Sequence, residues 1–194
     1  MCIICASKTG VCQPDDRTIR NMFLSNPHGA GYMYARDGRV TIHKGFMSLT
    51  DYLDAVHSER FNADDSVVYH FRISTQAGVN PAMTHPFPLS GQRRMMRKLD
   101  LTCRIGVAHN GIIRLTSDPH EREYSDTAIF ITDYLSRIIE SPRDLRNRML
   151  LNQVERLAGS KLALMDGDGY IAAIGRYVEE GGILYSNYSF TGIC

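Results

Sequence analysis

The sequence predicts an α+β protein in which sheets pack on one another with helix pairs outside them. Two observations predict it. The elements run as strands, then two adjacent helices, then strands again, and this segregation argues against alternating βαβ units. No internal repeat, low-complexity tract or linker interrupts the 194 residues, so a single domain over 1–194 is expected.

The elements follow in order. Residues 2–7 (CIICAS) form an apolar run with the look of a buried strand. Residues 15–25 open with Asp and set Ile19, Met22 and Phe23 at helical spacing. Residues 26–31 (NPHGAG) read as a turn. Strands at 32–35 and 40–43 follow, joined at Asp37-Gly38, a good hairpin signal. A helix over 49–57 carries Leu49, Tyr52, Leu53 and Val56 on one face, and residues 67–73 (VVYHFRI) make a β-branched and aromatic strand. The stretch 74–102 has little periodicity and holds Arg93, Arg94, Arg97 and Lys98, either a solvated loop or part of a docking surface. A strand at 104–109 ends at Asn110-Gly111. Ser125 caps a helix over 125–139. Ser141-Pro142 opens another that Gly159 closes, with Leu145, Met149, Leu150, Val154 and Leu157 expected inward. Strands at 161–166, 170–175 and 183–187 complete the chain.

Composition narrows the function. A hydrophobic share of 43% and a charged share of 22% are ordinary for a globular protein, and a net charge of +1 gives no global attraction to nucleic acid or an anionic membrane. No apolar run approaches a membrane span, and the start MCIICASKTG lacks the basic region of a signal peptide. A cytoplasmic location, with reduced thiols, is therefore expected. Cys2-x-x-Cys5 has no second pair or nearby Cys/His partner for zinc, and it lies on a strand rather than at a helix start, where a redox pair would sit. Gly29-Ala30-Gly31 lacks the third glycine of a dinucleotide loop, and Asp166-Gly-Asp168-Gly169 lacks the remaining ligands of a calcium loop. No metal or organic cofactor is expected.

Cys2 is the residue with the most chemistry to offer. Once Met1 is removed, it carries a thiol nucleophile and a free α-amine, and an unperturbed α-amine with a pKa of about 7.7–8.0 can act as base for its own side chain. Asn110 and Gly111 can aim a side-chain amide N–H and a backbone N–H at one point, as an oxyanion needs, although Asn-Gly is also the strongest short hairpin signal. Arg72 sits among apolar residues, where a bidentate grip on a carboxylate would suit it. Asp126 lies in the first turn of its helix, either for the helix dipole or as an acceptor for an ammonium group. Arg72 and Asp126 together read as a receptor for the α-carboxylate and α-ammonium of an amino acid.

Seven segments occur in the order of a known family: Met1-Cys2-Ile3, residues 26–31, Phe71-Arg72-Ile73-Ser74-Thr75, His85-Pro86-Phe87, Ala108-His109-Asn110-Gly111, Ser125-Asp126-Thr127 and Tyr185-Ser186-Asn187. Through them the chain resembles the class II glutamine amidotransferase domain, the cysteine-type N-terminal nucleophile hydrolases, over essentially its whole length. The resemblance implies a four-layer αββα sandwich. It implies Cys2 as nucleophile, Asn110 and the Gly111 N–H as oxyanion hole, Arg72 on the glutamine carboxylate, Asp126 on its ammonium, and Thr75 and His85 lining the pocket. Two departures accompany it. Residues 26–29 (NPHG) stand where many members carry an Arg-Gly pair, a form closer to the small stand-alone subgroup that includes γ-glutamyl amide hydrolases. Only seven residues follow Asn187, so an ammonia-accepting synthase would be a separate partner. The expected activity is a glutaminase that passes ammonia to such a partner. A stand-alone γ-glutamyl amide hydrolase is the alternative, and a non-catalytic amino-acid- or partner-binding relative is the rival from another class.

Overall fold

The structure is a computed structural model, and it describes residues 1–73, 79–114 and 123–192. The first part runs β1 (Ile3–Ser7), α1 (Asp16–Ser25), β2 (Ala30–Arg36), β3 (Arg39–Phe46), α2 (Leu49–Glu59) and β4 (Val67–Phe71). A 3-10 turn at Pro81–Met83, β5 (Phe87–Pro88), α3 (Arg93–Met96), β6 (Asp100–Cys103) and β7 (Ile105–Asn110) follow. Then come α4 (Asp126–Phe130), a π-helical turn (Ile131–Leu135), α5 (Ser136–Ile138), a 3-10 turn (Pro142–Arg146) and α6 (Arg148–Ala158). The last strands are β8 (Lys161–Asp166), β9 (Ile171–Ile174), β10 (Val178–Glu180) and β11 (Ile183–Tyr185).

The fold is mixed α+β with antiparallel sheets. A seven-stranded sheet runs β10-β11-β1-β4-β2-β3-β6, and a four-stranded sheet runs β5-β7-β8-β9. Strand periodicity divides their side chains among three cores. Ile3 and Cys5, Tyr32 and Tyr34, and Val67, Tyr69 and Phe71 join Ile19, Met22 and Phe23 of α1 and Tyr52, Leu53 and Val56 of α2. The alternate residues Ile4, Ala6, Met33 and Val68 join Ala108, Ala163 and Met165 of the smaller sheet. The other face of that sheet, with Ile105, Val107, Leu162 and Leu164, meets Phe130, Ile131, Leu145 and Val154. Both faces of each sheet are thus buried, which explains why β1, β4 and β8 read as continuous apolar runs rather than as alternating ones. The two sheets come close at Gly106, where an added Cβ would lie 2.4 Å from Met33 Sδ.

Local chemistry accounts for the element ends. Asp15 accepts the N–H of Thr18 at 2.8 Å at the start of α1, and Ser125 accepts that of Ala128 at 3.2 Å at the start of α4. Asn147 accepts the N–H of Leu150 at 3.2 Å and opens α6. Asp166, fully buried, accepts from the N–H groups of Asp168 and Tyr170 at 3.0 Å and from Arg146 at 2.6 Å, so residues 166–169 form a braced turn.

Several expectations need correction. The stretch 74–102 is not one irregular connection: it contains β5, α3 and most of β6. The helix expected over 125–139 widens into a π-helical turn, where the Thr132 hydroxyl donates to Ile129 O and the Ser136 hydroxyl to Thr132 O. The helix expected after Pro142 breaks at Asn147, and the break rotates α6 so that Val154 stays buried while Met149 and Leu157 are 77% and 48% exposed. Among the described residues, no helix is long and apolar enough to cross a membrane.

Candidate functional site

Three strands deliver polar side chains to one end of the space between the sheets. On β1, Ile4 faces that space, and Cys2 lies two residues before it. On β4, Val68 and His70 face it, and Arg72 comes next on the same side. On β7, Ala108 faces it from the opposite sheet, and Asn110 follows. Across the sheets His70 Nε2 meets the His109 carbonyl oxygen at 2.9 Å.

The Cys2 thiol sits beside Ile73, whose backbone N–H donates to Sγ at 3.4 Å and whose carbonyl accepts from it at 3.6 Å. Burial raises the Cys2 pKa above its usual value, against the opposing pull of the Ile73 N–H and the Arg72 guanidinium. The thiol is therefore protonated at neutral pH and needs a base to become a nucleophile. Arg72 is itself 6% exposed, and its charge is opposed by burial and favoured by Cys2 and Asp126. Its backbone is pinned by its N–H to Gly29 O at 2.8 Å and by its carbonyl to the N–H of His28 at 2.9 Å. The segment 26–31 thus acts as a bracket for the arginine.

Asn110 lies where the local sequence also allows a hairpin turn. It is the last residue of β7 and pairs with Lys161 of β8, so the dipeptide is no hairpin turn. Gly111 takes φ 147°, and a Cβ there would lie 2.5 Å from Ser160 Cβ, so only glycine fits the exit. Asp126 Oδ2 accepts the N–H of Ile113 at 2.8 Å, and Oδ1 accepts that of Thr127 at 2.7 Å.

Beneath these residues lies a stack of histidines. The rings of His70 and His85 are 4.2 Å apart, and those of His85 and His109 are 6.1 Å apart. Burial holds His70 at a pKa of about 3 and His109 at about 4, and pushes His85 well below its usual value, so all three are neutral. Ser160 donates to Ala158 O, so its oxygen accepts from His109 Nε2 at 2.7 Å, and Nδ1 accepts from the Thr127 hydroxyl at 2.7 Å. His85 is enclosed in this stack. Thr75 lies outside the described residues.

Residues not assigned a role from sequence complete the frame. Ser186 Oγ accepts the N–H of Ile4 and the Asn110 amide, each at 2.8 Å, and Asn187 Nδ2 donates to Cys2 O at 2.7 Å. Their sequence signal is the segment Tyr185-Ser186-Asn187, which carries the family resemblance without a role for either polar residue. The basic cluster is partly engaged within the chain: Arg93 pairs with Asp133 at 2.9 Å and Arg97 with Glu123 at 3.3 Å. Chemically, the arrangement offers a thiol, an amide, a guanidinium and a carboxylate around one strand end.

No protein-family model matches the chain, and no curated protein matches it significantly.

Proposed function

We propose that the chain is an amide hydrolase of the class II glutamine amidotransferase type, cutting the side-chain amide of glutamine or of a γ-glutamyl compound. The convergence of Cys2, Arg72 and Asn110 from three strands at one end of the inter-sheet space carries the reading. The three stacked cores support a four-layer αββα sandwich as its frame.

In this mechanism Met1 is removed, and the freed amine of Cys2 takes the thiol proton as Sγ attacks the amide carbon. The carbonyl oxygen becomes an oxyanion, held by the Asn110 side-chain N–H and the Gly111 N–H. The tetrahedral species collapses, the C–N bond breaks, and the amine returns the proton to the leaving ammonia. A water molecule then gives its proton to the amine and attacks the thioester, releasing glutamate and restoring the thiol. Arg72 grips the α-carboxylate, and Asp126 takes the α-ammonium with the lone pairs left after its two backbone bonds. No cofactor enters the scheme, and its need for a reduced thiol suits the cytoplasm.

The ammonia can pass to a separate acceptor enzyme. The ion pairs of Arg93 and Arg97 favour the second reading, a stand-alone γ-glutamyl amide hydrolase, because they tie up two charges of the surface that would dock such a partner. The test is intact mass of the purified protein followed by assays with glutamine and with γ-glutamyl amides. Loss of Met1 together with glutamate release is expected. Full activity in protein that keeps Met1 would exclude the amine as base, and no turnover of any γ-carboxamide by processed protein would leave the non-catalytic binding reading.

A further inference from the structure

Ser186 stands at a junction of both sheets. Its N–H donates to Ile4 O at 2.9 Å, its carbonyl accepts from the Lys161 ammonium, and its hydroxyl oxygen accepts the N–H of Ile4 at 2.8 Å. The residue is fully buried. Its position is thus set by β1 on one side and β8 on the other, before the hydroxyl does anything further.

The hydroxyl meets the amide of Asn110. As oriented, Asn110 Nδ2 donates to Ser186 Oγ at 2.8 Å. Two costs follow. Ser186 Oγ then accepts twice, and its own proton has no acceptor among the described residues. Asn110 Oδ1 is also buried without a hydrogen-bond partner among them. An orphaned buried acceptor has given up its water without gaining a hydrogen bond in return. Half a turn of the amide about its Cβ–Cγ bond gives the Ser186 proton an acceptor and Oδ1 a donor, and it leaves the NH2 group as the unpartnered end, a donor that a substrate oxygen can fill. The Ser186 hydroxyl would donate to Oδ1 across the same 2.8 Å while still accepting from Ile4, and the NH2 group would occupy the place from which Oδ1 now faces no partner.

We propose that Ser186 is a positioning residue that holds the Asn110 amide with its oxygen inward and its NH2 free to donate to the substrate. This rests on the amide-hydrolase reading above and extends it by a residue. An asparagine amide can present either end to a site, and the wrong end would place an oxygen against a developing oxyanion. Ser186 biases the choice: its oxygen accepts from the backbone N–H of Ile4, on the strand beside Cys2, and Asn110 Oδ1 is the acceptor that its remaining proton can reach. Nucleophile and oxyanion donor are thereby registered to each other through one hydroxyl.

The experiment is a double-mutant cycle with Ser186→Ala and Asn110→Ala, assayed on glutamine or the best γ-glutamyl amide, with melting curves to confirm folding. Ser186→Ala is expected to lower kcat about 10- to 100-fold, short of or matching the loss of one oxyanion donor, with KM within about twofold. In the Asn110→Ala background the same change should lower kcat less than about twofold, because no amide remains to be oriented. Equal losses in both backgrounds would overturn the proposal and reduce Ser186 to a strand brace. The second measurement needs no activity: nuclear Overhauser contacts between the Asn110 side-chain NH2 and the Ser186 β-protons in wild-type protein. Weak or missing contacts, strengthened in no liganded state, support the inward oxygen. Strong contacts, both free and after thiol acylation, overturn it. If the wild type hydrolyses no γ-carboxamide, the function fails on that assay while the amide contacts still decide how Ser186 and Asn110 pair.

Discussion

Asp126 holds the backbone N–H of Ile113 with a 2.8 Å hydrogen bond, which ties the first turn of α4 to the chain just past Gly111. The residue proposed to receive an ammonium group therefore also shapes the exit from β7. Its two oxygens each accept one backbone N–H, so neither can become a donor without penalty.

Asp126→Asn should accordingly do two things. It should raise KM for glutamine by removing the charge, and it should lower stability by about 1–2 kcal/mol, because an NH2 group would then face a backbone N–H. Urea titration and Michaelis–Menten kinetics separate the effects. A raised KM with unchanged stability would mean that the amide finds another acceptor.

The thiols should differ sharply. Cys12 is exposed, and general alkylating agents should reach it first. Cys5 and Cys103 are buried, and burial pushes both thiols up, Cys103 to about 12. A glutamine-shaped electrophile should label Cys2 alone, and Cys2→Ala should abolish turnover while Cys12→Ser changes it little. Peptide mapping after labelling decides, and modification of Cys12 in place of Cys2 would point to chance reactivity.

Gly111→Ala should destabilise the protein by about 2–3 kcal/mol, since φ 147° strains any L side chain and the new Cβ would press on Ser160. Ser160 accepts a hydrogen bond from His109, the neighbour of Asn110 on β7, so kcat should fall as well. Unchanged denaturant midpoints would show that the exit from β7 relaxes freely.

Stability should fall as pH drops below about 6.5. His70 and His109 have folded pKa values of about 3 and about 4, below the unfolded value near 6.5. The unfolded chain thus binds protons that the folded one refuses. Sensitivity begins near pH 6.5 and ends near the folded values, with roughly 2 kcal/mol lost per histidine by pH 5. Denaturant unfolding at pH 7, 6 and 5 tests this, and a flat profile over that range would contradict the neutral stack.

Much of the frame was legible because it rests on local rules. The apolar runs at β1, β4 and β8, the cap of Asp15 and the cap of Ser125 each follow from neighbouring residues. What escaped depends on distant partners. β6 is a strand because Thr102 pairs with Thr41, and β10 because Glu179 pairs with Leu184, although neither stretch is strongly apolar. The exposure of Met149 and Leu157 follows from a break at Asn147 that the heptad-like spacing hides. At the site, Cys2, Arg72, Asn110 and Asp126 stood out by residue type and spacing. Ser186 and Thr127 lay in two of the quoted segments, but neither had a role there, since a hydroxyl gains meaning only from the atoms around it.

β1 lies between β11 and β4, so one of its two neighbours in the sheet is a strand far from it in sequence. Ile4 bonds to Ser186 and Cys2 to Asn187, contacts that span 182 and 185 residues. Such separations make loop closure late and folding slow. Cys2 therefore acquires its setting late in folding: until β11 docks on β1, nothing holds Ser186 and Asn187 against the strand beside the thiol.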